Sequence, residues 1–467
     1  MSEHLSATGA RLGSLGIVTL LPCPSLPNII AEWAAILPLI CHLASHRDDF
    51  VTTGEIALIG SLSVGLFPPL GSLSGLARLL RRGTKYLDFA STKGGSSRTV
   101  WDVQWGSVFP CANGAASIAI SNQLMRRHGG PVKRIPESIP QPQPMSEVTP
   151  KIILGQKNGS SSVSTASNQG KPGELSAAAR LQNPSMRRYQ NLCVYQFYRR
   201  RQKQSLRHKV HEIRMSRLYR LVCTVLLTGV AVFLCAFGTY GTATIIVCAV
   251  VSEIAARSVT VGRPSGYLNS NETRDACMLV ASHENATEWH LYIGDRGIVD
   301  TLLNKPMFIV SQKNSSHLIS TWLRLADYLQ LAAMTFVAAQ KAWDGVCLVV
   351  LMALHRSLHL TFHGQSLAGY WLNSEGVDAA VRSFEFSGRQ AMIGAVQIFS
   401  KTTTSRWMDS ILVPHPRRDA WLALLDGHEL QGSFNSRDLK WIEKAADAAV
   451  AAAEVLKKEF GQRRQDV

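Results

Sequence analysis

The stretch from Leu221 to Ser252, LVCTVLLTGVAVFLCAFGTYGTATIIVCAVVS, decides the fold class because it contains no Asp, Glu, Lys, Arg or His. An uncharged apolar run of this length is typical of a membrane span rather than of a helix in a globular core. The segment before it, residues 186–220, is strongly basic and holds one acid, Glu212. Since Lys and Arg stay on the cytoplasmic side, this flank predicts that the run enters the membrane from the cytosol.

The run is too long for one straight crossing. A helix from residue 221 to residue 252 would extend about 48 Å, against a hydrocarbon core of about 30 Å. Gly238 and Gly241 lie near its middle and supply a break. Two arrangements remain open: one crossing that ends near the glycines, or two short helices that form a hairpin. The charge distribution favours the single crossing.

Three glycosylation sequons follow the run, at Asn271, Asn285 and Asn314. The single crossing places them in a lumen, where a glycan could be attached. A further sequon at Asn158 precedes the run and is expected to be cytosolic and unmodified.

Residues 28–77 predict a helical hairpin of two spans behind an uncleaved N-terminal lead-in, residues 1–27. The first span, residues 28–45, holds one acid, Glu32. The second span, residues 56–77, is uncharged and ends directly before Arg78. Residues 78–125 then form a basic loop and a weakly apolar segment that we expect to associate with the membrane without crossing it.

Residues 126–185 are rich in Pro, Ser, Gly, Gln and Asn, and this composition predicts a disordered linker. The basic juxtamembrane segment after it predicts contact with anionic lipid headgroups. The cations assigned to that contact are Arg199, Arg200, Arg201 and Lys203. Although the net charge is +16, no nucleic-acid-binding module accompanies it, so a nucleic-acid partner is not expected.

Residues 253–327 have nearly balanced charge, which predicts a small mixed α/β module outside the membrane. Within it, residues 277–281 and 288–293 have the composition of short strands, and residues 294–297 indicate a turn.

Residues 328–354 form the last predicted span, which is interrupted by Lys341 and Asp344. Their spacing places both on one helical face near the bilayer centre, where a mutual pair facing other helices would be tolerated. The favoured interpretation is a polar clamp between helices. The alternative is a transporter or channel subunit that uses Lys341, Asp344 and Glu32 along an ion or substrate path.

The remainder, residues 355–467, is soluble in character and predicts a cytosolic C-terminal domain that ends in an amphipathic helix, residues 436–460. Apolar residues from Leu439 to Phe460 recur alternately every three and four positions, as in a heptad seam. Packing of this seam on the protein's own domain is favoured over a partner helix.

A histidine triplet supplies one more alternative. His355, His359 and His363 would lie on one face of a helix, as a membrane metal centre requires, and a His-based metalloenzyme therefore stays a second alternative to a structural role. Interfacial histidines with satisfied hydrogen bonds are the simpler interpretation. The sequence contains no H-E-x-x-H, P-loop or G-x-G-x-x-G motif, and it predicts neither a cofactor nor a catalytic residue.

Three stretches of the C-terminal half carry a family resemblance: FEFSGRQAMIGAVQIF at residues 384–399, ILVPHPRRDAW at residues 411–421 and HENATEWHLYIGDRG at residues 283–297. They resemble uncharacterised multi-pass membrane proteins of filamentous fungi. The resemblance implies membrane insertion and no particular activity.

Together these patterns predict an α-helical integral membrane protein with about four transmembrane helices and both termini in the cytosol. The expected location is a membrane, and the expected role is that of a scaffold or interaction protein, with the lipid bilayer as its first partner.

Overall fold

A computed structural model describes residues 26–44, 49–62, 72–92, 97–135, 189–200, 206–259, 261–310, 314–340, 343–362, 367–430 and 433–460. These residues are mostly helical and include a mixed β-sheet. The predicted lead-in, residues 1–27, and the predicted disordered linker, residues 126–185, lie largely outside the described residues, as does Asn158.

The helices are α1 (Asn28–Ala44), α2 (Asp49–Ile59), α3 (Ser72–Arg82), α4 (Thr84–Thr92), α5 (Gly114–His128), α6 (Leu206–Ala236), α7 (Tyr240–Arg257), α8 (Arg296–Leu303), α9 (Asn314–Gln340), α10 (Trp343–Phe362), α11 (Leu367–Glu375), α12 (Arg389–Ser400), α13 (Pro416–Leu425) and α14 (Ser436–Phe460). The strands are β1 (Thr99–Asp102), β2 (Val108–Pro110), β3 (Lys133–Ile135), β4 (Gln190–Arg199), β5 (Val261–Gly262), β6 (Ala276–Ala281), β7 (Glu288–Gly294), β8 (Ile309–Val310) and β9 (Val377–Phe386).

The main sheet has the strand order β2-β1-β6-β7-β4-β9-β3. Strand β1 is antiparallel to both β2 and β6, and Thr99 pairs with Ala281. Strand β3 runs parallel to β9, where Lys133 pairs with Phe384. A separate two-stranded ladder joins β5 to β8.

The chain divides into two compact units. Unit 1 comprises Met1–Gly129, Tyr195–Glu284 and Leu291–Val381, and unit 2 comprises Gly130–Val194, Asn285–His290 and Arg382–Val467. The uncharged run belongs to unit 1, and the predicted C-terminal helix belongs to unit 2.

Helices α6 and α7 of unit 1 form an antiparallel hairpin. Gly238 between them has a φ of 77°, a left-handed conformation that glycine adopts without steric cost. At the open end of the hairpin, a guanidinium nitrogen of Arg257 on α7 donates to Thr224 Oγ1 on α6, at 3.2 Å. The break predicted near Gly238 agrees with this turn, and the antiparallel arrangement of α6 and α7 favours the hairpin alternative over the single crossing.

Two of the predicted spans are not single helices. In the second, α2 ends at Ile59 and is followed by Gly60 with a φ of 74°, whereas the next described helix starts at Ser72. In the last, α9 ends at Gln340 and α10 begins at Trp343. Helices α2 and α3, of 11 residues each, are about 16 Å long, too short to cross a bilayer.

Residues 105–125, the weakly apolar segment that was predicted to associate with the membrane or to pack in the cytosol without crossing, pack inside unit 1. It forms β2 and most of α5, whose Ser121 hydroxyl lies 2.7 Å from the hydroxyl of Tyr292 on β7. Small and polar residues face inward on α5 because a polar partner in the fold satisfies them, and the sequence pattern did not reveal this partner.

Strand structure is also more extensive than predicted. The strands at residues 277–281 and 288–293 are confirmed as β6 and β7, but they belong to the seven-stranded sheet rather than to a small separate module. Residues 190–199, predicted as part of the basic juxtamembrane segment, form β4, in which Leu192, Val194 and Phe197 are buried.

Unit 2 contains α14, whose predicted bounds, residues 436–460, are confirmed. Its seam residues Ile442, Ala446, Ala449, Ala453, Leu456 and Phe460 are buried. Helix α14 packs on α12 and α13 of the same unit. At the crossing with α12, a Cβ on Gly394 would lie 2.6 Å from Ala449 Cβ, so these two small residues allow close approach. The favoured interpretation, packing on the protein's own domain, agrees with this arrangement.

Candidate functional site

The most extensive candidate site in unit 1 is an apolar helical surface, which we call the apolar belt. It consists of large apolar side chains that are exposed on five helices. Its members are Ile29, Ile30, Trp33, Ile36, Leu37, Ile40 and Leu43 on α1; Leu218, Leu221, Val222, Val225, Leu226, Val232 and Phe233 on α6; Val247, Val251 and Ile254 on α7; Leu325, Tyr328, Leu329 and Phe336 on α9; and Val350 and Leu354 on α10.

Helices of the apolar belt are also apolar where they face one another. Ile245 of α7 packs with Ala333, Met334 and Val337 of α9 and with Leu348 of α10. A second cluster joins α6 to α7 through Ala231, Leu234, Ala243 and Ile246. A helix that is apolar on all sides is typical of a protein core or of a membrane span, and in the part of the chain that the structure describes the outer faces of these helices are exposed.

The outermost members of the apolar belt define its height. On α1 the exposed apolar residues extend from Ile29 to Leu43, and on α6 they extend from Leu218 to Phe233. These ranges correspond to about 21 Å and about 23 Å of helix, somewhat less than a hydrocarbon core of about 30 Å.

By length and composition, one helix among the described residues could cross a membrane, namely α7 (Tyr240–Arg257). Shorter apolar helical stretches occur at Asn28–Ala44, Leu221–Ala236 and Trp343–Leu354. All four stretches contribute to the apolar belt.

The best-defined polar group among the belt helices is Asp344, in the first turn of α10, whose residue surface is 1% exposed. Its carboxylate oxygens accept hydrogen bonds from the backbone N–H groups of Gly241 and Thr242, both at 2.8 Å. The Thr242 hydroxyl also donates to Asp344. Asp344 therefore caps the N-terminus of α7, where unpaired N–H groups and the helix dipole favour a negative charge.

This arrangement supports a clamp and shows a partner for Asp344 that the sequence analysis did not name. The sequence predicted that Asp344 would pair with Lys341, which lies outside the described residues. The partner seen in the structure is the N-terminus of α7. A Cβ on Gly241 would lie 2.8 Å from Asp344 Oδ2, so this close approach needs a residue without a side chain.

The groups assigned to a transport path are placed differently. Glu32 on α1 is exposed, whereas Asp344 is buried. Of the histidine triplet, the side chains of His355 and His359 and the whole of His363 lie outside the described part of the chain. Within the described ranges, no group of three or more His, Cys, Asp or Glu side chains has an arrangement that could hold a metal ion.

Two of the three sequons have described side chains. Asn271 and Asn285 are exposed, and Asn285 Oδ1 accepts a hydrogen bond from Arg389 at 2.8 Å. Asn314 is the first residue of α9. Nearby Cys277 is buried, and burial together with the Asp102 carboxylate raises the pKa of its thiol to about 12. A thiol in this state reacts slowly, which makes Cys277 a poor reporter of membrane sidedness.

Of the four cations predicted to bind lipid headgroups, Arg199 is already engaged within the fold. Arg199 forms an ion pair with Asp295 at 2.9 Å and donates to Asn269 Oδ1 at 3.1 Å. It therefore joins β4 to the loop before α8 and is not a free headgroup ligand. Arg200 is exposed, while Arg201 and Lys203 lie outside the described residues.

An ionic cluster around Arg296 was missed by the sequence analysis. Arg296, at the start of α8, forms two ion pairs: its Nη2 lies 3.2 Å from Asp102 Oδ2, and its Nε lies 2.7 Å from Glu272 Oε2. Its guanidinium also lies over the ring of Trp105. Asp300, one turn later, is 6% exposed, and burial raises the pKa of its carboxyl group. These residues come from three distant segments, so spacing along the chain could not reveal them.

Comparison of the chain with protein-family models, curated proteins and solved structures finds no match. The resemblance to fungal membrane proteins accordingly stays a prediction from the three quoted stretches.

Proposed function

We propose that this protein is an integral membrane protein and that its apolar belt is the surface that contacts lipid. The exposure of large apolar side chains on five neighbouring helices is the observation that carries the proposal. Contiguous apolar patches larger than a few hundred Å² are rare on soluble monomers, whereas a lipid bilayer covers such a surface without cost. The height of the apolar belt, about 21 Å along α1 and about 23 Å along α6, approaches that of a hydrocarbon core and supports a bilayer as its partner.

Within the membrane, the proposed role is structural: the helices anchor a scaffold whose sheet-bearing part is available for interaction. Asp344 supports this role, because both of its carboxylate oxygens cap α7. In the alternative role, a transporter or channel subunit, Asp344 would have to release these hydrogen bonds to reach an ion or a substrate. A metalloenzyme based on His355, His359 and His363 has no support among the described residues.

Two matched substitutions test the lipid contact. Val232 on α6 is 68% exposed and lies in the apolar belt, while Val413 in unit 2 is 76% exposed and lies outside it. If both positions faced water, each Val→Asp change would alter the free energy of unfolding by less than about 0.5 kcal/mol. In a bilayer, an Asp near the centre of a helix costs about 3 kcal/mol of insertion free energy. We therefore expect Val232→Asp to reduce membrane insertion strongly and Val413→Asp to leave it unchanged.

The measurement is the fraction of full-length protein that stays with membranes after alkaline carbonate extraction. Wild type and Val413→Asp should remain in the pellet. Release of the wild-type protein into the supernatant, or equal retention of both variants, would overturn the proposal.

A further inference from the structure

Both ends of the segment between α7 and α9 lie at the same end of the apolar belt. Arg257, the last residue of α7, contacts Thr224 on α6 at the open end of the hairpin. The segment then forms β5, and it returns through β8 just before α9 begins at Asn314. Strands β5 and β8 pair directly, with Val261 opposite Val310. The chain therefore leaves α7 and enters α9 at one level, which we call the sheet end.

The opposite end of the apolar belt, which we call the turn end, is where α6 and α9 end and α7 and α10 begin. Helix α6 ends at Ala236 and α7 begins at Tyr240, while α9 ends at Gln340 and α10 begins at Trp343. The beginnings of α7 and α10 lie close together, because Asp344 on α10 binds the backbone of Gly241 on α7. From Gly241 to Arg257, α7 spans about 24 Å, so the turn end and the sheet end are nearly one hydrocarbon thickness apart.

Charge distinguishes the two ends. Ser320 near the sheet end of α9 contacts α3, and this helix and the start of α4 carry the exposed cations Arg81, Arg82 and Lys85. The connection at residues 237–239 carries no charge, and Lys341 is the one charged residue of the connection at residues 341–342. Because Lys and Arg accumulate on the cytoplasmic side, the sheet end faces the cytosol.

We infer that α6–α7 and α9–α10 insert as two helical hairpins, so that the turn end reaches the far surface of the membrane and the whole of residues 258–313 stays on the cytosolic side. This inference rests on the proposed membrane insertion and specifies its topology. It reverses the expectation for Asn271, which becomes a cytosolic sequon. It also accounts for the pairing of β5 with β8. A segment that leaves the membrane after α7 and re-enters it at α9 on the same side has its two ends close together, so that they can form a ladder.

Glycan attachment in endoplasmic-reticulum microsomes tests the topology. A flexible Gly/Ser loop with a central Asn-Gly-Thr acceptor is inserted into the full chain between Gly238 and Thr239, at the turn end. The matched control carries the same loop between Ser282 and His283, at an exposed position of the sheet end. Both proteins are synthesised with microsomes, treated with endoglycosidase and extracted with carbonate.

We expect one glycan on the loop after Gly238 and none on the loop after Ser282 or on Asn271. A glycan on Asn271 or on the loop after Ser282 would overturn the orientation. An unmodified loop after Gly238 in carbonate-resistant protein would show that the hairpin does not reach the far surface, and it would also overturn the inference. Extraction of the protein by carbonate would instead reject the proposed membrane insertion itself.

Discussion

Asp344 Oδ2 lies 2.8 Å from the backbone nitrogen of Gly241, although the two residues are 103 positions apart in the chain. Asp344, in the first turn of α10, thereby accepts a hydrogen bond from a backbone N–H group in the first turn of α7. The N–H group of Thr242 donates to the same carboxylate. A carboxylate that receives backbone N–H groups at a helix N-terminus is held by charge-assisted hydrogen bonds. The contact between α7 and α10 therefore joins a carboxylate on α10 to two backbone N–H groups on α7.

Replacing this carboxylate should destabilise the helices strongly. Asp344→Leu removes the acceptor and leaves two buried N–H groups of α7 unpaired, which costs about 2 to 5 kcal/mol of unfolding free energy. The measurement is denaturant unfolding of purified protein in detergent. Asp447, exposed on α14, supplies the matched control, because Asp447→Leu should change stability by less than about 0.5 kcal/mol. Equal stability of the two variants would contradict a clamp at Asp344.

Replacing each of two hairpin glycines by alanine should change the stability of the protein in opposite directions. A Cβ on Gly241 would overlap Val337 and lie 2.8 Å from Asp344 Oδ2, whereas a Cβ on Gly229 of α6 would meet nothing within 4 Å. Gly241→Ala should therefore lower the free energy of unfolding by about 1 to 3 kcal/mol. Gly229→Ala should leave it unchanged or raise it by up to about 1 kcal/mol, because alanine favours a helix. The same unfolding assay decides, and a stabilising Gly241→Ala would disprove the close approach of α7 and α9.

The close contact between α12 and α14 in unit 2 can be tested with one destabilising substitution and a second substitution that compensates for it. A Cβ on Gly394 would lie 2.6 Å from Ala449 Cβ and 2.7 Å from Trp421. Gly394→Ala should cost about 1 to 3 kcal/mol of stability, and Ala449→Gly in the same chain should restore part of it by removing one of the two overlapping groups. Gly388→Ala, where a Cβ would meet nothing within 4 Å, is the control. Strictly additive effects of the two changes would contradict direct contact between these positions.

The cluster at Asp300 predicts a pH dependence. Because burial raises the pKa of Asp300 above its ordinary 3.8, the folded chain binds this proton more tightly than the unfolded chain does. The resulting stabilisation is complete below pH 3.8 and is lost as pH rises through the folded-state pKa. Asp300→Asn removes this titration, so the stability of the variant relative to wild type should increase as pH rises.

Chemical denaturation between pH 3.5 and pH 7 measures this difference. Asp447→Asn, at the exposed position used above, should give a difference that varies little with pH. A stability of Asp300→Asn that declines relative to wild type with rising pH would show that the neighbouring cations, Arg296 and Lys305, outweigh burial.

Local signals in the sequence predicted some elements closely. The bounds of α14 follow from its apolar spacing, and the break at Gly238 follows from glycine in an otherwise uniform run. Strand β4 also has a local signal, since Leu192, Val194 and Phe197 recur nearly every second residue, but the surrounding arginines directed the prediction toward a lipid-contacting segment. The binding of Asp344 to Gly241 has no local signal at all, because hydrogen bonds between distant segments depend on how the helices pack.

Strand pairing in the sheet determines when the protein can complete its fold during synthesis. Thr99 of β1 pairs with Ala281 of β6, and Lys133 of β3 pairs with Phe384 of β9. At ribosomal rates of about 5 to 20 residues per second, β1 waits roughly 10 to 40 seconds for its partner. Helices α6 and α7 are made during that interval, and β3 waits until α9 and α10 have also emerged. If α6 and α7 insert as proposed, they reach the bilayer before the sheet closes, and β1 and β3 remain without their distant partners, β6 and β9, until then.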